Sequence, residues 1–135
     1  MPSSILIPVA LDHEGHTKRK LEVARALLDP GGRITLLTVL ESIPPFVAEF
    51  VTVKEENRLT DRIMEILRSA AGGAPDIDCR TTTGKPGIKI VEVAKEIGCD
   101  LIVVGAHHPN AAEYFLGSTA ARVTRRANCD VYVLR

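Results

Sequence analysis

The sequence predicts an α/β fold, in which a parallel five-stranded β-sheet carries helices on both of its faces. Short apolar segments alternate along the chain with longer amphipathic ones, which is the pattern of strands joined by crossover helices. The segment from Ile34 to Leu40 contains only apolar residues and Thr, as expected for a strand that helices cover on both sides. A length of 135 residues suits one compact domain, which we assign to residues 1–135.

Five segments have the length and composition of strands. They are Ile5–Val9, Ile34–Leu40, Ile77–Thr83, Asp100–Gly105 and Asp130–Leu134. The third segment alternates less polar residues with polar ones, which indicates a half-solvated position at a sheet edge. The fifth is apolar from Val131 to Leu134, and an apolar strand at an edge favours pairing with another chain. We therefore expect a twofold dimer joined along Val131–Leu134, unless a helix or loop covers this edge.

Four amphipathic segments predict helices. We expect them from Thr17 to Leu28, from Lys54 to Ala71, from Pro86 to about Gly98 and from Gly117 to about Arg126. The second carries an apolar row of Leu59, Ile63, Ile66 and Leu67, and the third turns Ile90, Val91, Ala94 and Ile97 inward. The irregular segment Ser42–Val53 contains apolar residues that need a cover, so we interpret it as a flap or an interface.

The charge balance argues against a nucleic-acid partner. Lys plus Arg total 17 and Asp plus Glu total 17, so the chain lacks the basic excess that drives binding to nucleic acids or anionic membranes. No positively charged leader and no long apolar segment precedes the first strand, so we expect a cytoplasmic location without membrane insertion. Cys79, Cys99 and Cys129 show no CxxC pair or disulfide framework, and we expect them to be free thiols.

Two loops are candidates for a ligand site. In open parallel sheets, ligands bind outside the carboxyl ends of the strands, at the point where the strand order reverses. The loops after the first and fourth strands, Pro8–Asp12 and Gly105–Ser118, are therefore the candidates. Gly105 has no Cβ, so it either lets the backbone approach a ligand or serves only as a turn residue.

The segment Gly117-Ser118-Thr119 opens the last helix. Backbone N–H groups at a helix start bind anions, and the Ser118 and Thr119 hydroxyls can donate further hydrogen bonds to a phosphate. The same residue types are favoured there as plain helix caps, so both interpretations stay open. His107 and His108, in the preceding loop, are phosphate partners, metal ligands or ordinary polar residues.

Several other kinds of site are not supported by the sequence. No GxGxxG follows the first strand, no GxSxG elbow is present, and Gly84-Lys85 is followed by Pro86 where a P-loop requires Ser or Thr. The four histidines lack the spacing of a metal site. The cluster Asp12–Glu14 is either catalytic or a solvated loop. We therefore predict no metal site and assign no catalytic residue.

Several separated segments of the chain resemble the universal stress protein family. They are Ile5–Val9, Leu37–Val39, Asp100–His108, Leu116–Thr119 and Cys129–Arg135. The resemblance extends over essentially the whole chain. The loop residues His107–Asn110 and Tyr114–Ser118 are most similar to the F-type branch of that family.

The resemblance implies an adenine nucleotide alpha hydrolase-like fold with strand order 3-2-1-4-5. It also implies ATP as the ligand, with the participation of Mg²⁺ left open, and a homodimer joined through the last strand. A tetramer is left open as well, because the segment Phe46–Val53 either covers the site or builds a second interface.

The resemblance also implies the residues of the site. Val9 and Val39 would contact adenine, and the phosphates would meet Gly105, His107, Gly117, Ser118 and Thr119. The sequence departs from the family pattern at two positions. His108 replaces a glycine, and Ala10, two residues after Pro8, stands where the family commonly has Asp. Asp12 lies two residues beyond Ala10 and is a candidate to reach the same space. We include these four positions, Pro8, Ala10, Asp12 and His108, in the predicted site.

The leading functional hypothesis is an ATP-binding regulatory protein of the stress response with little or no turnover. One alternative is a protein-interaction module that has lost nucleotide binding, as Ala10 and His108 suggest. Another is a slow ATPase that uses Asp12 or His107 as its base. The sequence does not distinguish ATP from AMP or another nucleotide, and it names neither the stress nor the partner protein.

Overall fold

The computed structural model describes residues 1–10, 14–41, 52–106 and 116–135. Within them, five strands form one sheet: β1 (Ser4–Pro8), β2 (Arg33–Leu40), β3 (Ile77–Thr83), β4 (Leu101–Gly105) and β5 (Asp130–Leu134). The four helices are α1 (Glu14–Leu27), α2 (Val53–Ala71), α3 (Pro86–Glu96) and α4 (Ser118–Arg126). The predicted flap or interface, Ser42–Val53, lies outside the described residues except for its last two positions.

The sheet is parallel and its strand order is β3-β2-β1-β4-β5, which confirms the predicted order. β1 is the central strand, and its Ile5 lies beside Ile34 of β2 on one side and Leu101 of β4 on the other. The polar alternation of β3 correctly predicted its edge position. Its Asp78 pairs with Arg33 at 2.7 Å and its Arg80 pairs with Glu96 at 2.9 Å.

Strand residues alternate between two separate cores, one on each face of the sheet. Ile5 and Ile7 of β1 pack against α1 and α2, whereas Leu6 points to the opposite face, where α3 and α4 cover it. All three residues are fully buried. Because the central strands are buried on both faces, they consist almost entirely of aliphatic residues. The sequence pattern predicted this arrangement.

Helix α2 has well-defined ends. At its start, Thr52 and Glu55 form a capping box, in which the Thr52 hydroxyl accepts from the Glu55 amide at 3.1 Å. At its end, Gly72 adopts a left-handed conformation with φ 63°, which a glycine reaches without steric cost. Ile63 and Leu67 are buried as predicted, but Leu59 is 50% exposed. Leu59 lies one turn nearer the helix start, where the described residues do not cover it.

One smaller expectation for a helix required correction. Helix α1 begins at Glu14, three residues before the predicted Thr17. The sequence analysis missed these residues because they are polar and carry no apolar row. In α3, Ile90 and Ala94 are buried as predicted, and the predicted inward residues Val91 and Ile97 are partly buried and pack against the same core.

All three cysteines are free thiols, as expected. The buried Cys99 donates a hydrogen bond from Sγ to the Leu101 carbonyl at 2.9 Å. Burial raises the pKa of the Cys99 thiol to about 12, so it remains protonated at neutral pH. Among the described helices, none is both long and apolar enough to cross a membrane.

The carboxylate of Asp100 joins the starts of β1 and β4. It accepts hydrogen bonds from the Ser3 amide and hydroxyl, both at 2.9 Å, and from the Ser4 amide at 3.1 Å. These donors lower the pKa of Asp100 below its ordinary value of 3.8, chiefly through the Ser3 amide. The carboxylate therefore holds two adjacent strands in register from the end opposite to their carboxyl termini.

We expect Asp100→Asn to lower the free energy of unfolding at neutral pH, because an amide cannot replace the charge-assisted hydrogen bonds. A folded-state pKa below 3.8 means that Asp100 stabilises the fold above that pH, and that the contribution is lost as the pH falls through the folded value. The difference between the two proteins should therefore shrink below pH 3.8. Urea unfolding across this pH range measures it.

Asp61→Asn is the control, since it removes an exposed carboxylate of α2. An Asp100→Asn protein that loses no stability at neutral pH relative to this control would contradict the assigned role.

Candidate functional site

A cavity of about 400 Å³ lies at the carboxyl ends of β1 and β4, where the strand order reverses. This is the position at which open parallel sheets bind ligands. Eight of the predicted site residues line it: Pro8, Val9, Ala10, Val39, Gly105, Gly117, Ser118 and Thr119. The other three, Asp12, His107 and His108, lie outside the described residues, so their place in the site stays a prediction.

One wall of the cavity is the extended backbone at the end of β1. The Val9 amide donates to the Leu37 carbonyl at 2.7 Å, and the Val9 carbonyl accepts from the Thr38 hydroxyl at 3.0 Å. Thr38 is 3% exposed, so its hydroxyl fixes the chain beyond the last residue of the strand. Val9 and Val39 both line the cavity, Val9 from the core under α1 and α2 and Val39 from the core under α3 and α4. Together they give the cavity an apolar lining that suits contact with a flat apolar ring.

The start of helix α4 forms another part of the cavity lining. The Gly117 amide donates to the Ala106 carbonyl at 2.6 Å, which fixes the helix start to the end of β4. Gly117 is the N-cap and forms no side-chain cap, so Ser118 and Thr119 stand inside the first turn. The cap of this helix is thus Gly117, and the Ser118 and Thr119 side chains do not serve as caps. The first amides of a helix have no carbonyl partner within it and attract an anion.

Gly105 forms the floor of the cavity beneath helix α1. A Cβ built on Gly105 would lie 3.6 Å from Lys20 Cε, 3.8 Å from Lys20 Nζ and 3.9 Å from His16 Nδ1. An added methyl would thus make ordinary contacts, while a larger side chain would occupy the cavity. Gly105 therefore lies between two side chains of α1 and the cavity, and both interpretations of this glycine remain predictions.

Lys20 is the buried charged residue of the cavity lining that the sequence analysis missed. It is only 7% exposed, lines the cavity, and donates a hydrogen bond from Nζ to the Pro8 carbonyl at 3.0 Å. Burial disfavours the charged form and lowers the pKa of Lys20 to about 8. The ion pairs between described residues do not include it. Its spacing from the buried Thr17 and Ala24 places it on the inner face of the helix, and this signal could have identified it.

Among the described residues, the remaining titratable groups of the cavity wall are His16 on α1 and Glu41 after β2. In the part of the chain that the structure describes, no three His, Cys, Asp or Glu side chains are grouped so that they could hold a metal ion. The cavity therefore combines an aliphatic wall, the first turn of a helix and one buried ammonium group. Such an arrangement can hold a ring at one end and an anionic group at the other.

Comparison with known proteins gives a consistent result. The family model described as "Universal stress protein family" matches residues 4–135. Universal stress protein G of Shigella flexneri is 27% identical over 142 residues, and the match covers 100% of both chains.

Solved structures share the fold. The universal stress protein UspA from Lactobacillus plantarum is 24% identical, with a TM-score of 0.73, and the match covers 98% of this chain and 97% of that one. A universal stress protein in complex with cAMP is also 24% identical, with a TM-score of 0.70 and coverage of 99% and 97%. At this identity the two structures establish the common architecture.

Proposed function

The chain belongs to the universal stress protein family, and on that premise we propose that it binds an adenine nucleotide in the cavity between β1 and β4. The nucleotide we propose is ATP, and the bound protein acts as a regulatory module of the stress response with little or no turnover. A cytoplasmic location is part of the same proposal.

The observation that carries this proposal is the position of the cavity. It lies where the strand order reverses, with an aliphatic wall at Val9 and Val39 and with the first turn of α4 in its lining. An adenine ring fits the aliphatic lining at Val9 and Val39, and a phosphate group fits the first turn of α4. The similar protein that was solved with cAMP supports the ligand class, since cAMP contains both an adenine ring and a phosphate.

Regulation without turnover is the part of the proposal that concerns catalysis. Hydrolysis requires a base within hydrogen-bond reach of the attacking water. The bases that the sequence named, Asp12 and His107, lie outside the described residues, so we assign no catalytic role to either. A slow ATPase is therefore tested directly, by following phosphate release from the same sample in which binding is measured.

One observation favours a second function, that of an interaction module without nucleotide. Ala10 is exposed and lines the cavity, and it places a methyl group at the position where the family commonly has a carboxylate. A failure of every adenine nucleotide to bind would support this function.

We expect Ser118→Glu to weaken ATP binding by at least about tenfold, because the new carboxylate stands beside the helix-start amides and repels a phosphate. The fold should be retained, since an acidic residue in the first turn of a helix is favourable. Calorimetric titration measures the affinity, and thermal unfolding verifies the fold.

The matched control is Asn128→Glu, which adds the same charge at an exposed position beyond the other end of α4. Equal affinities of the two variants would place the phosphate elsewhere. No binding by the unaltered protein, with or without magnesium, would refute the nucleotide proposal itself.

We propose that the protein forms a homodimer through β5. This strand lies at the sheet edge, and its Tyr132 is 40% exposed, which is uncommon for a large apolar side chain on a strand. The described residues leave the outer edge of β5 without a neighbouring strand. Pairing with the same strand of a second copy would satisfy that edge. A tetramer would require a further interface, for which the segment 46–53 is the candidate.

Tyr132→Glu should weaken the dimer by at least about tenfold, because a twofold pairing brings the two new carboxylates close together. Sedimentation equilibrium measures the dissociation constant. Leu59→Glu is the control, since Leu59 is a similarly exposed apolar residue on α2. A monomeric unaltered protein, or equal weakening by both substitutions, would show that β5 is not the interface.

A further inference from the structure

Lys20 has an environment that a purely structural lysine rarely occupies. Its side chain is more than nine-tenths buried, its ammonium lines the cavity, and it lies 3.8 Å from where a Gly105 Cβ would be. Taking an ammonium out of water is unfavourable unless a partner charge compensates, and burial accordingly lowers the pKa of Lys20. Its hydrogen bond to the Pro8 carbonyl uses one of three N–H donors.

The cavity supplies a reason for a positive charge at this place. Lys20 approaches it from α1, and the first-turn amides of α4 approach it as well. Both features attract an anion, and they belong to different elements that meet only at the end of the sheet. A phosphate group between them would receive hydrogen bonds from both. It would also provide the counter-charge that the described carboxylates do not give Lys20.

We propose that Lys20 is the counter-cation of the bound phosphate, so that the cavity binds the metal-free nucleotide and gains no affinity from magnesium. This inference rests on the proposed nucleotide function and specifies the chemical form of its ligand. Magnesium binds nucleotide phosphates through their oxygens, usually with one or two protein carboxylates. Among the described residues that line the cavity, the only carboxylate is that of Glu41.

The two cations compete for the same oxygens. A magnesium ion on the phosphate would add a second positive charge near the Lys20 ammonium, and like charges repel. Lys20 already supplies counter-charge to the phosphate, so the metal-bound nucleotide gains less from this site than the metal-free one. Excess magnesium should therefore weaken binding to this protein.

The experiment measures the dissociation constant of ATP by calorimetry, once with EDTA and once with excess magnesium. For the unaltered protein, binding in EDTA should be at least as tight as binding with magnesium. For Lys20→Gln, which removes the charge but keeps an N–H donor for the Pro8 carbonyl, binding in EDTA should weaken about tenfold or more. The loss should be smaller with magnesium, because the metal then supplies the missing charge.

Lys18→Gln is the matched control, since Lys18 is exposed on the same helix and lies two residues away. A second readout is proton uptake, obtained from the binding heats in buffers of different ionisation enthalpy. At a pH of about 8, the phosphate should raise the protonated fraction of Lys20, so the unaltered protein takes up a proton fraction and Lys20→Gln takes up less. Comparing the proton uptake of these two proteins separates the contribution of Lys20 from those of the other described titratable groups of the cavity, His16 and Glu41.

The outcomes separate the two proposals. Tighter binding of ATP with magnesium than with EDTA by the unaltered protein, or an unchanged affinity of Lys20→Gln in EDTA, would overturn the role of Lys20 and leave the nucleotide proposal standing. No binding under either condition would overturn both. The magnesium dependence of the unaltered protein requires no substitution, so it decides the question even if Lys20→Gln does not fold.

Discussion

The central position of β1 is the constraint on which the rest of this structure depends. β1 pairs with β2 on one side and with β4 on the other, so the connection that follows β1 runs one way along the sheet and the connection that follows β4 runs the opposite way. Helices α1 and α2 then cover one face, and α3 and α4 the other. No single connection covers the carboxyl ends of both β1 and β4, and the cavity lies in the gap that this leaves.

This constraint brings together residues that are far apart in the sequence. Lys20 on α1, Val9 after β1 and Ser118 on α4 contribute to one cavity only because the sheet reverses there. The rigid parts of the site are held by backbone hydrogen bonds, from Val9 to Leu37 and from Gly117 to Ala106. The aliphatic wall and the helix start are therefore positioned before any ligand arrives, which reduces the entropy cost of binding.

The sequence predicted the elements and the order of the strands because those features follow from hydrophobic periodicity and from several family-like segments. Eight site residues were predicted for the same reason, since they lie at strand ends or at the start of α4. Lys20 was missed because a lysine in an amphipathic helix is usually solvated, and only the packing of α1 on the sheet shows that its ammonium is enclosed. The exposure of Leu59 was missed for the opposite reason, since periodicity does not show where the covering residues end.

The two edges of the sheet differ in a way that limits how large an assembly can become. The β3 edge carries Asp78 and Arg80, and their ion pairs with Arg33 and Glu96 keep charged groups along that border. The β5 edge carries Val131 and the exposed Tyr132 instead. A sheet in which both edge strands can pair with other copies can grow into a filament. A sheet with one such edge strand can join only one partner. On the proposed pairing through β5, the charges on β3 would disfavour the addition of further copies at the other edge.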